Sequence, residues 1–404
     1  MFRGRMNGLT SVVVAAAFFA VSAHGADHPG MMHMVSPASL PKPYTTPVAA
    51  NPSSSIPRPK DAIPQAPKGF AVSIFAEGLA NARFMALAPN GDVFIAQPEL
   101  NQVTIIRDGK AHPFATGFTR PHGLAFHDGA LYVGDLEAVW RVAYTDGALA
   151  GGTRARVTKD SFGGEGGHST RDIAFGPDGA LYVAIGSKNN IAEDPAPRAT
   201  VQKVTADGHL QTFASGLRNA VGIAFYPGTS DLYVTVNERD GLGDGLVPDY
   251  LTRIRQGDFF GWPYAYIGPH PAPDFGAKRP DLVAKTKTPD VLFQSHSAPL
   301  GLVFYEGDNF PADYKGDALV ALHGSWNAAA PTGYKVVRVK YANGRPVGGY
   351  EDFLTGFWSG TTSPAQVWGR PAGLLVAKDG SLLVADDPGQ TIWRVRYVGN
   401  GAAK

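Results

Sequence analysis

A pattern of apolar and polar positions recurs six times along the chain after about Gly69. Each copy has an apolar stretch, a turn that contains Gly, and a second run in which apolar and polar residues alternate. Alternation around an Asn-Gly, Asp-Gly or similar turn predicts a β-hairpin in each copy. The copies are MALAPNGDVFIAQ from Met85, GLAFHDGALYVGD from Gly123, DIAFGPDGALYVAIG from Asp172, GIAFYPGTSDLYVTV from Gly222, GLVFYEGDNFPADYKGDALVAL from Gly301 and GLLVAKDGSLLVAD from Gly373.

A third run, rich in β-branched and basic residues, follows most of the hairpins; examples begin at Gln102, Ala138, Tyr334 and Thr391. Six such units predict an all-β fold, a six-bladed β-propeller with four-stranded antiparallel blades. A blade cannot bury both of its faces alone, so neighbouring blades must cover them. A pair of β-sandwiches is the alternative, and six similar units disfavour it. We expect residues near Gly69 to close the ring by pairing with the C-terminal blade.

Two insertions lengthen the fourth and fifth copies, roughly at residues 237–294 and 305–317. Long insertions in propellers are expected on one face, where sites are built from loops.

The N-terminal region reads as a targeting segment followed by a linker. Arg3 and Arg5 precede an apolar stretch from Leu9 to Val21, and small residues follow, so residues 1–26 are predicted to be a signal peptide. An uncleaved anchor is the alternative. Residues 27–68, rich in Pro, Ser and Ala, are predicted to be a linker, which leaves 69–400 as the catalytic propeller. We therefore expect a periplasmic or secreted protein without stable membrane insertion.

Composition narrows the chemistry further. The 404 residues carry a formal net charge of +1 and no basic tail, so nothing supports a nucleic-acid partner. Cysteine is absent, which excludes disulfides and covalently attached haem. Any redox reaction would need a cofactor that is held without a covalent bond.

Cationic residues and histidines stand just before the predicted inner strands. A shared rim of such groups would suit an anionic ligand. His168, in a Gly-rich loop, is the side chain best suited to accept a proton near neutral pH, although a structural role is also open. Arg218, followed by Asn219, could bind a carboxylate or form an ordinary salt bridge. The rim set is Arg83, Arg120, His122, His168, Arg171, Arg218, His296 and Arg370.

The stretch from Asn237 to Tyr264 is dense in Asp and Gly. Carboxylate and carbonyl oxygens are ligands for Ca²⁺, although this spacing is not that of an EF-hand.

Several ordered motifs resemble the soluble glucose and sorbosone dehydrogenase family of quinoproteins, from about Gly69 to Tyr397. The motifs are His168 with FGPDGALYVAIG, then GLRNAVGIAF, NERDGLGDGLVPDYL, GDFFGWP and HGSWN. The resemblance implies a six-bladed propeller that holds pyrroloquinoline quinone (PQQ) on its axis, with a Ca²⁺ on the cofactor. It also implies a small sugar or aldehyde substrate, and a separate electron acceptor such as a cytochrome or a quinone.

The resemblance also implies roles for single residues. His168 matches the catalytic base, and Arg218 matches the arginine at the quinone carbonyl, with Asn219 beside it. Asp240 and Gly241 match the carbonyls that bind Ca²⁺. Arg370 matches an arginine that holds a cofactor carboxylate, and Lys335 and Arg171 are expected to bind the cofactor as well.

Two departures point away from the glucose branch of the family. Ser187 stands where an Asp supports the base, and Arg171 is shifted by one position relative to the base. This version is closer to the sorbosone and pyranose dehydrogenase branch.

Two other functions remain open. A calcium-dependent lactonase would need carboxylates and Asn around one axial metal, with Asp135, Asn219 and Asp386 as candidates. A binding propeller without catalysis would need no convergent His and Arg at the rim.

Overall fold

The computed structural model describes residues 27–360 and 362–399, so the predicted signal peptide lies outside the described residues. No helix among the described residues is long and apolar enough to cross a bilayer.

The described strands form the predicted six-bladed β-propeller. Blade 1 contains Met85–Leu87, Val93–Gln97, Gln102–Arg107 and Lys110–Thr116; blade 2 contains Gly123–His127, Ala130–Gly134, Val139–Ala143 and Arg154–Arg156. Blade 3 contains Ile173–Phe175, Leu181–Ile185, Thr200–Val204 and Leu210–Ser215; blade 4 contains Asn219–Phe225, Leu232–Asn237, Pro248–Ile254 and Val291–Ser295. Blade 5 contains Pro299–Phe304, Ala318–Leu322, Lys335–Val339 and Tyr350–Leu354; blade 6 contains Pro371–Val376, Leu382–Asp386, Thr391–Tyr397 and Phe70–Glu77.

Shorter elements decorate this ring. The two-residue strands are Met32–His33, Ser54–Ser55, Asp258–Phe259, Ala265–Tyr266, His270–Pro271, Tyr341–Ala342, Arg345–Pro346 and Gln366–Val367. Among the described residues the α-helix is Pro280–Lys285, and the 3₁₀ turns are Pro37–Ser39, Pro98–Leu100, Gly276–Lys278 and Ala312–Tyr314.

The ring closes as predicted. Phe70–Glu77 pairs antiparallel with Thr391–Tyr397 and supplies the outer strand of blade 6. Blade 6 therefore combines strands from both ends of the propeller, which fastens the first blade to the last.

The hydrophobic core lies between neighbouring blades. Phe94 and Val103 of blade 1 pack with Leu131 and Val142 of blade 2. At every other junction between blades, apolar side chains from the two facing sheets pack in the same way. Continuous burial of both faces explains why the second strands read as apolar runs.

Glycine at the start of the inner strands lets the blades meet closely at the axis. A Cβ on Gly301 would come within 2.5 Å of the carbonyl oxygen of Ala372 in the next blade, and Gly222 and Gly373 face their neighbours in the same way. Inner strands of successive blades touch around a closed ring. The recurring Gly of the hairpin motifs is thus a requirement of backbone approach.

The predicted insertions differ from expectation in position. The segment 237–294 includes a regular strand of blade 4, Pro248–Ile254, and the true excursion follows it. There Asp258–Phe259 pairs with the outer strand of blade 3, and the chain returns towards the site. The segment 305–317 leaves the far end of its inner strand, where the Tyr305 hydroxyl donates to the Gly380 carbonyl (2.7 Å). The prediction that both lie on one face was wrong, because the first crosses from the far end of blade 4 to the other end of blade 3, whereas the second stays at the far end.

Residues 27–68, here called the strap, lie against the propeller for most of their length. Met32–His33 adds a strand to the edge of blade 5, and Ser54–Ser55 pairs with Gln366–Val367. The division of the chain at residue 69 stays a prediction, but the strap is hydrogen-bonded to the outer edge of blade 5 and to the segment that leads into blade 6.

Candidate active site

One end of the propeller axis collects the rim residues. Each inner strand begins at this end and each second strand finishes there, as the pairs Asn219 with Asn237 and Pro371 with Asp386 show. Side chains just before inner strands and just after second strands must therefore share one mouth. The predicted rim set stands at this end of the blades.

His168 is held in one tautomer. Its Nδ1 lies 2.9 Å from the carbonyl oxygen of Ser187, which also accepts the backbone N–H of His168 (3.0 Å). Because a carbonyl can only accept, Nδ1 carries the hydrogen and Nε2 keeps its lone pair. Burial, together with the charge of Arg218, lowers the pKa of His168 to about 4. The imidazole is therefore neutral near pH 7, as a base must be.

Gly186 marks where His168 and Asn219 converge. A Cβ at Gly186 would clash with the Oδ1 of Asn219 and come within 2.7 Å of the Cβ of His168. The Oδ1 of Asn219 is buried and has no partner among the described residues. A free acceptor thus lies close to the imidazole.

Arg218 is fixed by carbonyls of two loops. Its guanidinium donates to Glu238 (2.7 Å), Asn237 (3.3 Å) and Asn190 (3.2 Å), and lies 3.5 Å from the Oδ2 of Asp240. The backbone N–H of Ser187 donates to the Arg218 carbonyl (2.7 Å), which ties this arginine to the residue that orients His168. Arg218 and His168 therefore belong to one rigid unit.

Asp240 links that unit to blade 5. Its Oδ1 accepts the side-chain amide of Asn327 (2.6 Å) and lies 3.5 Å from the Nδ1 of His296. Burial alone would raise the pKa of Asp240, but the bond from His296 and the charge of Arg218 hold it below its usual range. The next residue, Gly241, has a φ of +94°, and nothing lies within 4 Å of its Cβ position. The backbone here is open to the mouth.

A second cluster occupies the opposite side of the mouth and is here called the Arg370 cluster: Arg83, His323, Arg370 and Asp387. Asp387 pairs with Arg83 (3.0 Å) and with the Nε2 of His323 (2.9 Å). Arg370 donates to the carbonyls of His323 (2.8 Å) and Gly324 (2.7 Å), and its Nη1 has no partner among the described residues. Burial, with the charge of Arg370, lowers the pKa of His323 to about 4.

Lys335 lies apart from the mouth. Its buried ammonium pairs with Asp352 (2.9 Å) and Asp27 (3.1 Å) and lies 3.3 Å from the Nε2 of His33. Lys335 begins the third strand of blade 5, one strand removed from the residues that line the axis. In the structure this lysine fastens the strap to the blade edge.

Arg171 supports the loop of the base from behind. It is fully buried, and its Nη1 donates to the carbonyls of His168 (2.8 Å) and Thr170 (2.6 Å). This places Arg171 beneath His168.

The carboxylates considered for a lactonase do not gather around the axis. Asp135 accepts the backbone N–H groups of Thr119, Glu137 and Ala138 and the indole N–H of Trp140. Asp386 occupies the matching place in blade 6, where it binds the backbone of Arg370 and Gly389 and the indole of Trp393. Both cap the turn after a second strand, which disfavours a metal-centred hydrolase.

Sequence reasoning missed Asp387 and Asn190. Asp387 neutralises the Arg370 cluster, and Asn190 binds both the backbone N–H (2.9 Å) and the carbonyl (3.1 Å) of Asp240. Two consecutive aspartates, Asp386 and Asp387, at the end of a second strand could have indicated that Asp387 belongs to the site. Asn190 lies within the loop between two strands of blade 3, and no sequence pattern marks it as a site residue.

The fold and mouth define a six-bladed propeller with a cation-lined axial site. The family model for glucose/sorbosone dehydrogenase matches residues 138–325, and the TrAA12-like model matches residues 278–398. These matches confirm the resemblance to the glucose/sorbosone dehydrogenase family that the motifs indicate.

Whole-chain comparisons agree on the architecture. An uncharacterized protein of Borreliella burgdorferi is 29% identical over 350 residues, which cover 82% of this chain and 90% of that protein. The holo pyranose dehydrogenase PQQ domain of Coprinopsis cinerea superposes with a TM-score of 0.70 at 19% identity, covering 86% of this chain and 100% of that one. The calcium structure of the Trichoderma reesei Carbohydrate-Active Enzymes Family AA12 protein gives 0.66 at 20% identity, covering 83% and 97%. At these identities the structural likeness establishes the fold.

Proposed function

We propose that this protein is a PQQ-dependent sugar dehydrogenase in which His168 is the general base. The observation that carries the proposal is the state of that imidazole. It is neutral, its Nε2 has no hydrogen-bond partner among the described residues, and it faces a mouth lined by guanidinium groups. A neutral imidazole would also serve a hydrolase, but the carboxylates Asp135 and Asp386 that a metal-centred hydrolase would use are engaged as turn caps.

The residues at the mouth fit the cofactor. PQQ is a flat quinone with three carboxylates, and the Arg370 cluster offers two guanidinium groups against one carboxylate, with Nη1 of Arg370 available. Across the mouth, the backbone carbonyls of Asp240 and Gly241 are the proposed oxygen ligands for Ca²⁺, and the open space beside Gly241 leaves room for an ion there. Of the similar structures, one is a holo PQQ domain and another is a calcium structure, which supports PQQ and Ca²⁺ as the groups bound here.

When bound, the quinone supplies a hydride acceptor. Nε2 of His168 takes the proton from the substrate hydroxyl, while the Ser187 carbonyl keeps the ring oriented through Nδ1. Arg218 holds a positive charge beside the base and keeps it neutral before the reaction. The Oδ1 of Asn219, buried beside His168, has no partner among the described residues, and we keep Asn219 as a proposed neighbour of the cofactor.

The substrate, partner and compartment follow from the same proposal. We expect a small sugar or aldose, of the kind that the sorbosone and pyranose branch oxidises. Electrons would pass to a separate acceptor, a cytochrome or a quinone, since the cysteine-free chain cannot attach a haem covalently. A periplasmic or secreted location fits the predicted signal peptide.

The test adds PQQ and Ca²⁺ to purified protein and follows dye reduction with a panel of sugars. Wild type should gain the absorbance of bound cofactor and reduce the dye with at least one sugar. The variant His168→Gln should keep that absorbance and lose turnover by about 10²-fold or more. The matched control His209→Gln, on an exposed histidine, should behave as wild type. Cofactor binding without dye reduction on any sugar, or full activity in His168→Gln, would overturn the proposal.

A further inference from the structure

Arg171 has buried donors without acceptors. Only its Nη1 is engaged, by two carbonyls, while Nε and Nη2 have no partner among the described residues. A buried guanidinium with free N–H groups is costly unless an acceptor, preferably an anion, reaches it.

A second guanidinium makes this imbalance larger. Arg198, also buried, donates to the same carbonyl of His168 (3.3 Å) and to the carbonyls of four glycines, so its charge meets dipoles and no carboxylate. Its Nε has no partner in the described chain. Burial and the charge of Arg198 lower the pKa of Arg171 to about 9. Within the described residues neither arginine has a carboxylate within 4 Å. The acid that acts on Arg171 from further away, Asp135, already accepts four hydrogen bonds.

His122 faces the same region from blade 2. The residue after it, Gly123, donates its N–H to the Arg171 carbonyl (3.1 Å), which brings the two blades into contact here. His122 is fully buried, and neither ring nitrogen has a partner among the described residues. Every neutral imidazole carries one N–H, so His122 adds at least one more unused donor.

We infer that Arg171 and His122 form the seat of a single buried anion, beneath His168 on the axial side of blades 2 and 3. The shared chemistry is one negative charge that accepts several N–H bonds. Two sources offer it: a free halide such as chloride, or a carboxylate of the bound cofactor. Only the second source depends on the function proposed above.

The first arm uses apoprotein. Chloride should raise the Tm by about 3 °C once it exceeds its Kd 100-fold, whereas gluconate at equal ionic strength should not. A bromide-soaked crystal should show an anomalous peak between Arg171 and His122. His122→Phe, which retains packing on Phe84, should weaken the chloride effect at least tenfold. Arg171→Met should abolish it, and the exposed control Arg141→Met should leave it unchanged.

The second arm uses protein loaded with PQQ. Displacement of one bromide per cofactor bound, or a cofactor carboxylate at this position in crystals, assigns the seat to the cofactor. If neither bromide nor a carboxylate is found there and chloride gives no specific stabilisation, the seat binds water only and the inference is wrong. A bromide site in a protein that shows no PQQ-dependent activity would sink the proposed function and leave the anion seat standing.

Discussion

The depressed pKa of His168 predicts how stability changes with pH, and the effect can be isolated by one substitution. The ordinary pKa of 6.5 applies in the unfolded chain, and the folded value is about 4. Between these values the unfolded state binds more protons, so stability falls as pH is lowered through this window. For one group with these pKa values, the loss between pH 7.5 and 4.5 is about 2.5 kcal/mol.

The assay compares urea unfolding of wild type and His168→Gln at both pH values. All other titrating groups, including the buried His122 and His323, contribute to both proteins and cancel in the difference. The variant should therefore lose about 2.5 kcal/mol less than wild type on acidification. NMR titration of the His168 ring gives the folded pKa directly. If the two proteins lose equal stability, or if the ring titrates near 6.5, the argument that the base is held neutral by burial and Arg218 is refuted.

Three further outcomes are expected. Asp387→Asn should destabilise the fold by about 1.5–3 kcal/mol in urea, because the Arg83 guanidinium loses its counter-charge and the neutral His323 ring loses a charged acceptor for its Nε2–H; a loss below about 1 kcal/mol would contradict this. Gly301→Ala should sharply lower the unfolding midpoint, since its Cβ would meet a backbone carbonyl at 2.5 Å, and an unchanged midpoint would show that the inner strands can move apart. Thr46→Val, which removes the acceptor for the N–H of Asp244 (2.9 Å), should speed proteolysis of the strap, whereas Thr45→Val, which breaks only a local bond, should not.

The blade count could be predicted because each hairpin is a local structure. A turn glycine and the residues beside it fix the pairing of two strands, and that information lies within about fifteen residues. The closure by Phe70–Glu77 also followed, because a last blade built from strands of both ends of the propeller fastens the ring. The path of the insertions did not follow. Both excursions leave the far end of a strand, so their position depends on contacts with distant segments such as the outer strand of blade 3. The third strand Pro248–Ile254 was also hidden inside an apparent loop.

The site could be predicted where topology alone decides it. Residues such as His168, Arg218 and Arg370 stand before inner strands, so propeller geometry brings them to one mouth whatever else they contact. Lys335 was different, since its role depends on which side of a third strand it occupies and on a partner, Asp27, far away in the sequence. Sequence spacing carries no information about such a distant partner.

The strap shows what composition could not indicate about the N-terminal segment. A segment rich in Pro, Ser and Ala cannot build a core of its own, but it can lie extended and form hydrogen bonds with the exposed strand edges of the propeller. Thr46 binds the loop that follows Asp240, and the backbone N–H of Asn51 donates to the carbonyl of Trp326, next to Asn327. Because Asn327 binds Asp240 directly, the strap joins two loops that meet at one carboxylate. A segment with the composition of a linker therefore helps to fix the geometry of the mouth. Substitutions that loosen the strap should alter the site at Asp240 before they lower the stability of the propeller.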